Sequence, residues 1–338
     1  MTDVIVVGGG PVGLATAIEA RLAGLTVVLI EPREGAIDKA CGEGLMPGAI
    51  PLLARLGVDP PGMPLRGVSY RQGTLRADYR FAGAPGRGVR RLALSESLEA
   101  RADELGVERV VGRVTSLVQD ATGVTVDGLR ASWLLACDGL HSTVRRLAGL
   151  EAKAPARSRR FGQRQHFAVE PWNDFIEVHW AANAEVYITP VSETVTGVAV
   201  LGPQRTSFAA TLESIPELAW LTRVRADSTL RGAGPFRQKA TAPSAGRVLL
   251  VGDASGYVDA ITGEGLRLGF AQARAAVEAV VAQNPLGYDT AWRQITRDFR
   301  VLTTALVRAA TSPVRRSIVP LARALPSTYG SIVESLAR

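Results

Sequence analysis

Short apolar runs rich in β-branched residues alternate along the chain with longer stretches in which Ala and Leu return at helical spacing, the pattern of an α/β protein. Val4 to Val7 reads as a buried parallel strand, Pro11 to Ala23 as a helix and Thr26 to Ile30 as a second buried strand. Together they predict a βαβ unit at the head of the chain. Glycines and prolines then make residues 36 to 48 a loop before a short helix, Ala49 to Arg55, and residues 65 to 82 alternate weakly, as a hairpin does. Leu92 to Leu105 carries Leu94, Leu98 and Ala102 on one face and ends at Gly106, a helix with its stop signal.

Two strand-like segments follow, Val110 to Val118 and Val124 to Val126, and then the apolar run Trp133 to Cys137, which closes on Asp138-Gly139. From about Arg160 the character changes. Gln165 to Val169, Phe175 to Trp180, Glu185 to Ile188 and Thr196 to Leu201 follow one another as the strands of an antiparallel sheet. Val248 to Val251 is another buried strand and Gly265 to Val281 a helix, after which an Arg-rich helical region from Thr290 is broken at Pro313, Pro320 and Pro326. No repeat or low-complexity tract is present.

Composition narrows the class without naming a chemistry. The 338 residues are 46% hydrophobic and 21% charged, which is enough apolar surface for the cores of two modules. No basic, apolar leader opens the chain and no apolar stretch reaches membrane-spanning length, so a cytoplasmic location is expected. Cys41 and Cys137 are too few for a disulfide framework or a metal cluster, and no metal site is expected. The net charge of +7 is spread over many arginines, with small clusters at Arg87-Arg90-Arg91, Arg157-Arg159-Arg160-Arg164 and Arg315-Arg316. Without aromatics interleaved among those arginines, nothing points to nucleic acid.

The residues between the first strand and helix carry the chemistry. Gly8-Gly9-Gly10-Pro11-Val12-Gly13 supplies a G-x-G-x-x-G spacing at Gly8, Gly10 and Gly13, and Glu31 ends the second strand. In that setting the glycines allow a tight turn and close backbone approach to a pyrophosphate, the helix N-terminus faces the anion, and the acid accepts from ribose hydroxyls. Dinucleotide binding follows; the choice between FAD and NAD does not. Asp253, directly after a buried strand, sits where such sheets place ligands, or equally where a helix is capped.

Two further phrases make the choice by resemblance. Ala136 to Arg145, with Asp138-Gly139, resembles the Asp-Gly motif of flavoprotein monooxygenases of the para-hydroxybenzoate hydroxylase type, and Arg247 to Ala254 resembles their Gly-Asp motif at Gly252 and Asp253. The order of the three motifs matches from residue 2 to about 282. The resemblance implies FAD, with Asp253 on the ribityl chain, Arg91 at a helix start on the flavin side, and NAD(P)H as a transient electron donor without a domain of its own. Gly263, Gly265 and Leu266 open a helix whose amides either face the flavin pyrimidine edge or form a plain helix start, and the cofactor pocket is completed by Pro11, Val12, Pro32, Arg33, Cys41, Gly42 and Val114.

The implied fold is an FAD-binding Rossmann-like three-layer α/β domain with an antiparallel-sheet substrate domain and C-terminal helices. Residues 1–65, 92–155 and 245–285 would form the FAD-binding domain, 66–91 and 156–244 the substrate sheet, and 286–338 the C-terminal helices. His166, Trp172, His179, Trp180, Tyr187 and Phe236 on the substrate side suit either a pocket for a small hydrophobic or aromatic substrate or plain sheet packing.

The implied activity is monooxygenation of an aromatic or polyketide-derived molecule with NAD(P)H and oxygen, through a flavin C4a-hydroperoxide. The chain departs from hydroxylases where they carry His and Pro, at Gly256 and at Asp259-Ala260. There, and at Lys39-Ala40-Cys41-Gly42-Glu43-Gly44 and Thr262-Gly263-Glu264-Gly265, it is similar to geranylgeranyl reductases, so reduction of an unsaturated lipid or isoprenoid is the alternative. A non-catalytic flavin-binding protein is a third. Halogenation is not expected, because the Trp-x-Trp-x-Ile-Pro signature is missing. Cys41 either shapes the pocket or is a small buried hydrophobe, and Cys137 is core. The basic amphipathic C-terminal stretch could lie on a membrane surface, but packing on its own domain is favoured. The sequence names neither a catalytic residue nor an oligomeric state.

Overall fold

The structure is a computed structural model that describes residues 2–152 and 160–338. Arg157 and Arg159, two members of the second arginine cluster, and the expected boundary after residue 155 lie outside the described residues.

The first strand, Thr2–Val7, pairs in parallel with both Val27–Glu31 and Leu129–Ala136. Glu108–Val111 and Val248–Leu250 extend that parallel core on either side. The uninterrupted apolar run of the first strand has a simple cause: both of its faces are covered. Val4 and Val6 pack with Leu14, Ile18, Leu98 and Ala276 of the helices Pro11–Leu22, Arg91–Glu104 and Gly265–Val281. Ile5 and Val7 pack on the opposite face with Val124, Val126 and Val144. Helices, sheet and a covering meander make the three layers.

The segment expected as one strand from Val110 to Val118 is two, Glu108–Val111 and Leu117–Gln119, flanking a turn of direction that starts at Gly112. The first stays in the parallel core; the second pairs antiparallel with Val124–Val126 in the meander.

A second sheet of seven strands stands beside the first, in the order Arg231–Ala233, Arg160–Phe167, Thr196–Pro203, Glu185–Pro190, Phe175–Trp180, Gly67–Gln72, Leu75–Arg80. Most neighbours are antiparallel, with Gln163 opposite Val200 and His179 opposite Val186. One pair departs from the expected pattern: Phe175–Trp180 runs parallel to Gly67–Gln72, because the chain returns to the hairpin only after passing through the first sheet. One face of this sheet packs Val68, Ile176 and Val178 against Val319, Tyr329 and Val333 near the C-terminus. The other packs Val186, Val198 and Val200 against Phe208, Leu212 and Leu221.

The C-terminal helices also differ from expectation. The first begins at Pro285 rather than about Thr290, with Asn284 Oδ1 accepting from Gly287 N at 3.0 Å as its cap, and runs to Ala310. Pro320 does not interrupt: it lies in the first turn of Ile318–Ala324, where a missing amide costs no helical hydrogen bond. Among the described residues no helix is long and apolar enough to cross a membrane.

Candidate functional site

The glycine turn leaves no freedom for side chains. Gly8 adopts φ +104°, and a Cβ there would lie 2.5 Å from Cys137 O. At Gly13 a Cβ would lie 1.7 Å from Gly8 O, so helix and strand touch backbone to backbone. Glu31 closes the turn, accepting from Gly9 N at 2.7 Å and from Arg33 Nε at 2.6 Å. Helix Pro11–Leu22 has no side-chain cap and no acid in its first turn. Its first intrahelical bond is Leu14 N to Gly10 O at 2.9 Å, which leaves the amides of Val12 and Gly13 to an external acceptor.

The helix start opens, at Gly10, Pro11 and Val12, onto a cavity of about 670 Å³ that passes from the glycine turn to the seven-stranded sheet. Its wall holds nearly every expected residue: Gly8, Gly10, Pro11, Val12, Glu31, Pro32, Arg33, Cys41, Gly42, Arg91, Val114, Asp138, Gly139, Asp253, Gly263, Gly265 and Leu266. Two expected residues stand behind the wall. Gly13 supports the turn as described, and Gly252 has φ +64° and leaves room for Val12, whose Cγ1 a Cβ there would approach to 3.0 Å.

Charge in the cavity is balanced across its width. Burial pushes the Asp253 carboxyl up, opposed by Lys39 and Arg91, and no group of the chain hydrogen-bonds to it among the described residues. Burial also pulls Arg91 down, and its buried Nε has no partner. An unpaired acid, an unpaired guanidinium and an uncapped helix start in one cleft fit a polar cofactor with hydroxyls and an anionic linker. Asp138 is different. It lies in the wall, but its carboxylate is engaged by the chain, accepting from Ser142 Oγ at 2.6 Å and Val144 N at 3.0 Å, and so orders the start of the short helix Thr143–Leu147. Burial raises the Cys41 thiol, which accepts from Glu43 N at 3.4 Å and stays neutral. Burial pushes the Cys137 thiol up to about 12, and that thiol donates to Thr16 Oγ1 at 3.4 Å.

Beyond the polar end the cavity becomes an apolar chamber. Val68, Ile176, Val178 and Leu201 line it from the sheet, Phe236 from the segment that follows the edge strand Arg231–Ala233, and Val333 and Leu336 from the last helix, Pro326–Ala337. Of the large residues singled out from the sequence, Tyr187 and Phe236 reach the chamber while His166, Trp172, His179 and Trp180 do not. Tyr187 Oη donates to Ile261 O at 2.7 Å. Trp180 packs edge-on against Tyr70, and His179 Nε2 lies 2.9 Å from Glu177 Oε2. Tyr70 and Tyr257 also line the chamber; burial raises both phenols, and neither hydroxyl is hydrogen-bonded to the chain among the described residues.

Sequence reasoning missed the group that fixes the loop over this cavity. Glu43 holds φ +60°, a conformation uncommon outside glycine, because four interactions hold it there. Its Oε1 accepts from Arg91 N at 2.8 Å and faces Arg164 Nε at 3.6 Å, its Oε2 meets His166 Nε2 at 2.6 Å, and its carbonyl accepts from Val89 N at 2.8 Å. Arg164 in turn pairs with Asp38. Only the Cys-Gly-Glu-Gly phrase pointed to this loop. Also unforeseen was the role of the last helix as a cavity wall, signalled only by the helical spacing of Tyr329, Val333 and Leu336.

The profile of a family described as an FAD binding domain matches residues 1–283. A menaquinone reductase of Mycolicibacterium smegmatis is 27% identical over 333 residues, covering 88% of this chain and 80% of the relative. The 12-dehydrotetracycline 5-monooxygenase/anhydrotetracycline 6-monooxygenase of Streptomyces rimosus is 29% identical over 323 residues, covering 80% of this chain and 61% of the relative, so the chain spans under two thirds of that enzyme. The crystal structure of p-nitrophenol 4-monooxygenase PnpA from Pseudomonas putida DLL-E4 superposes with a TM-score of 0.83 at 21% identity, covering 100% of this chain and 96% of that one.

Proposed function

Since the chain belongs to the FAD binding domain family and is an FAD-dependent oxidoreductase, we propose that it is a monooxygenase that hydroxylates an apolar aromatic or polyketide-derived molecule with NAD(P)H and oxygen. The observation that carries this reading is a cavity in which a polar cofactor cradle opens directly into an apolar chamber. A monooxygenase among the sequence relatives and another with the same fold lend it support.

FAD bound in the cradle supplies electron transfer from the nicotinamide and activation of oxygen. The chain's part is binding, orientation and exclusion of water. In this reading the amides of Val12 and Gly13 hold the pyrophosphate, Glu31 the adenosine ribose, and Asp253 with Arg91 the ribityl side. The N-terminus of Gly265–Val281 has no side-chain cap, so the amide of Leu266 would be free to stabilise negative charge on a reduced flavin. Val68, Ile176, Val178, Leu201 and Phe236 keep the chamber dry and receive the hydrocarbon of the substrate. Tyr70 and Tyr257 remain protonated and donate from Oη to a polar group on it. The proposed division follows the same logic: 1–65, 92–155 and 245–285 for the cofactor, 66–91 and 156–244 for the substrate, and 286–338 as the C-terminal cover.

One observation favours a second reading, reduction of an unsaturated apolar quinone or isoprenoid. The chain covers 80% of the menaquinone reductase but 61% of the tetracycline enzyme, and the Cys41-Gly42-Glu43 phrase stands in the cavity wall. Incubating the FAD-loaded protein with NADPH, isotopically labelled oxygen and a panel of alkylphenols and prenylated naphthoquinones separates the two. Labelled oxygen in a product supports the monooxygenase; oxygen-independent saturation of a side-chain double bond overturns it in favour of the reductase.

A further inference from the structure

The outer surface of the C-terminal helices differs in chemistry from the rest of the molecule. Between Asp298 and Glu334 the chain has five arginines and no acidic residue. Five of the fourteen large apolar side chains that the described residues expose lie in this stretch: Val301 at 64%, Val314 at 53%, Leu321 at 51%, Leu325 at 53% and Ile332 at 43%. The others are scattered along the sequence, where single exposed apolar side chains are ordinary; a concentration is not.

The arginines on this surface are free of the pairing that dominates elsewhere. Arg308, Arg316 and Arg323 are exposed and join no ion pair among the described residues. Arg315 is the contrast: turned inward and buried, it pairs with Glu185 and donates from Nε to Ala181 O at 2.7 Å, which fastens the segment to the sheet. On Ile318–Ala324 the buried Val319 packs into the core beside Val68 and Val333 while Leu321 faces out, one helical turn from Leu325. The inner side of the same layer, through Val333 and Leu336, lines the apolar chamber.

We propose that this outer face docks the protein on an anionic lipid bilayer, with Leu321 and Leu325 entering the headgroup boundary and Arg308, Arg316 and Arg323 lying on the phosphates. Charge complementarity selects the occupant. A stretch without acids, carrying unpaired guanidinium groups beside exposed leucines, matches a negatively charged interface that is apolar just beneath. Docking would set the chamber's helical wall beside the phase in which an apolar substrate concentrates, whichever oxidation or reduction the flavin performs.

The test is flotation of the FAD-loaded full chain with vesicles of phosphatidylcholine alone and of phosphatidylcholine mixed with phosphatidylglycerol. The protein is expected to float with the anionic vesicles and far less with the neutral ones. Replacing Arg308, Arg316 and Arg323 together by Gln should weaken partitioning roughly a hundredfold, about fivefold per arginine, and the double variant L321E/L325E should also stay with the soluble fraction. The control removes the same charge from the opposite face of the sheet, R205Q/R223Q/R225Q, and should remain within about fivefold of the parent. All variants should keep bound flavin. Absence of the parent from anionic vesicles would overturn the proposal, as would equal losses in the two arginine triples. A solution dimer that L321E/L325E dissolves would assign the face to a second copy of the chain and overturn it likewise.

Discussion

A single methyl group at Gly13 would collide with the carbonyl of Gly8, which a Cβ would approach to 1.7 Å. Helix Pro11–Leu22 would have to lift from the first strand, moving the Val12 and Gly13 amides away from the cavity. The Gly13→Ala variant should lose about 3 kcal/mol, the range of overpacking in a filled site, and should purify with little flavin. Urea denaturation and the ratio of flavin to protein absorbance measure the two effects. Glu264 makes a different prediction. Burial pushes its carboxyl up to about 7 against the pull of Arg267, and its Oε2 has no partner. A raised acid pKa means that the folded state holds the proton that the unfolded chain releases, so stability is present at low pH and falls as pH rises from about 4.5 to 7. The loss is on the order of 3 kcal/mol. Glu264→Gln removes this slope, and denaturation at about pH 5 and about pH 8 should show the parent losing stability relative to the variant; parallel curves would contradict it.

At the scale of elements, the buried charge network of the second sheet is what fastens the C-terminal helices. Glu185 pairs with both Arg160 and Arg315, and Arg160 also faces Asp259, whose carboxyl burial raises to about 6. Arg315→Met leaves Glu185 with one partner and frees the carbonyls of Ala181 and Ala310. The expected cost is about 3 kcal/mol, with proteolytic cleavage appearing first between residues 310 and 326. None of this network was legible in the sequence, because its members are far apart along the chain. The same distance hid Glu43 and His166, which touch across 123 residues. Local patterns transferred well where one principle acted alone. The helix Gly265–Val281 has the bounds that its apolar spacing predicts, and the glycine turn forms between the expected strand and helix. They failed where a second principle intervened. Pro320 is a helix breaker only beyond the first turn, and the parallel pairing of Phe175–Trp180 with Gly67–Gln72 depends on the route of the chain rather than on any residue in either strand.

For the molecule as a whole, the two sheets meet around one cavity whose ends do different work, and the last helix belongs to the apolar end alone. Val333 and Leu336, both buried, line the chamber on that helix. The turn, Glu31 and Asp253 at the other end owe nothing to it. Filling the apolar end should therefore separate substrate from cofactor. Leu336→Trp adds an indole to the chamber wall, where the volume taken from ligand is large and the backbone of the helix need not move. The variant should retain FAD and its reduction by NADPH, while quenching of protein fluorescence by a long-chain alkylphenol weakens at least about tenfold relative to the parent, a loss of about 1.4 kcal/mol. Equal binding of the alkylphenol by both proteins would mean that the chamber does not take the substrate's hydrocarbon. Loss of flavin together with the alkylphenol would mean that the last helix shapes the cofactor cradle as well, and the separation of the two ends would fail.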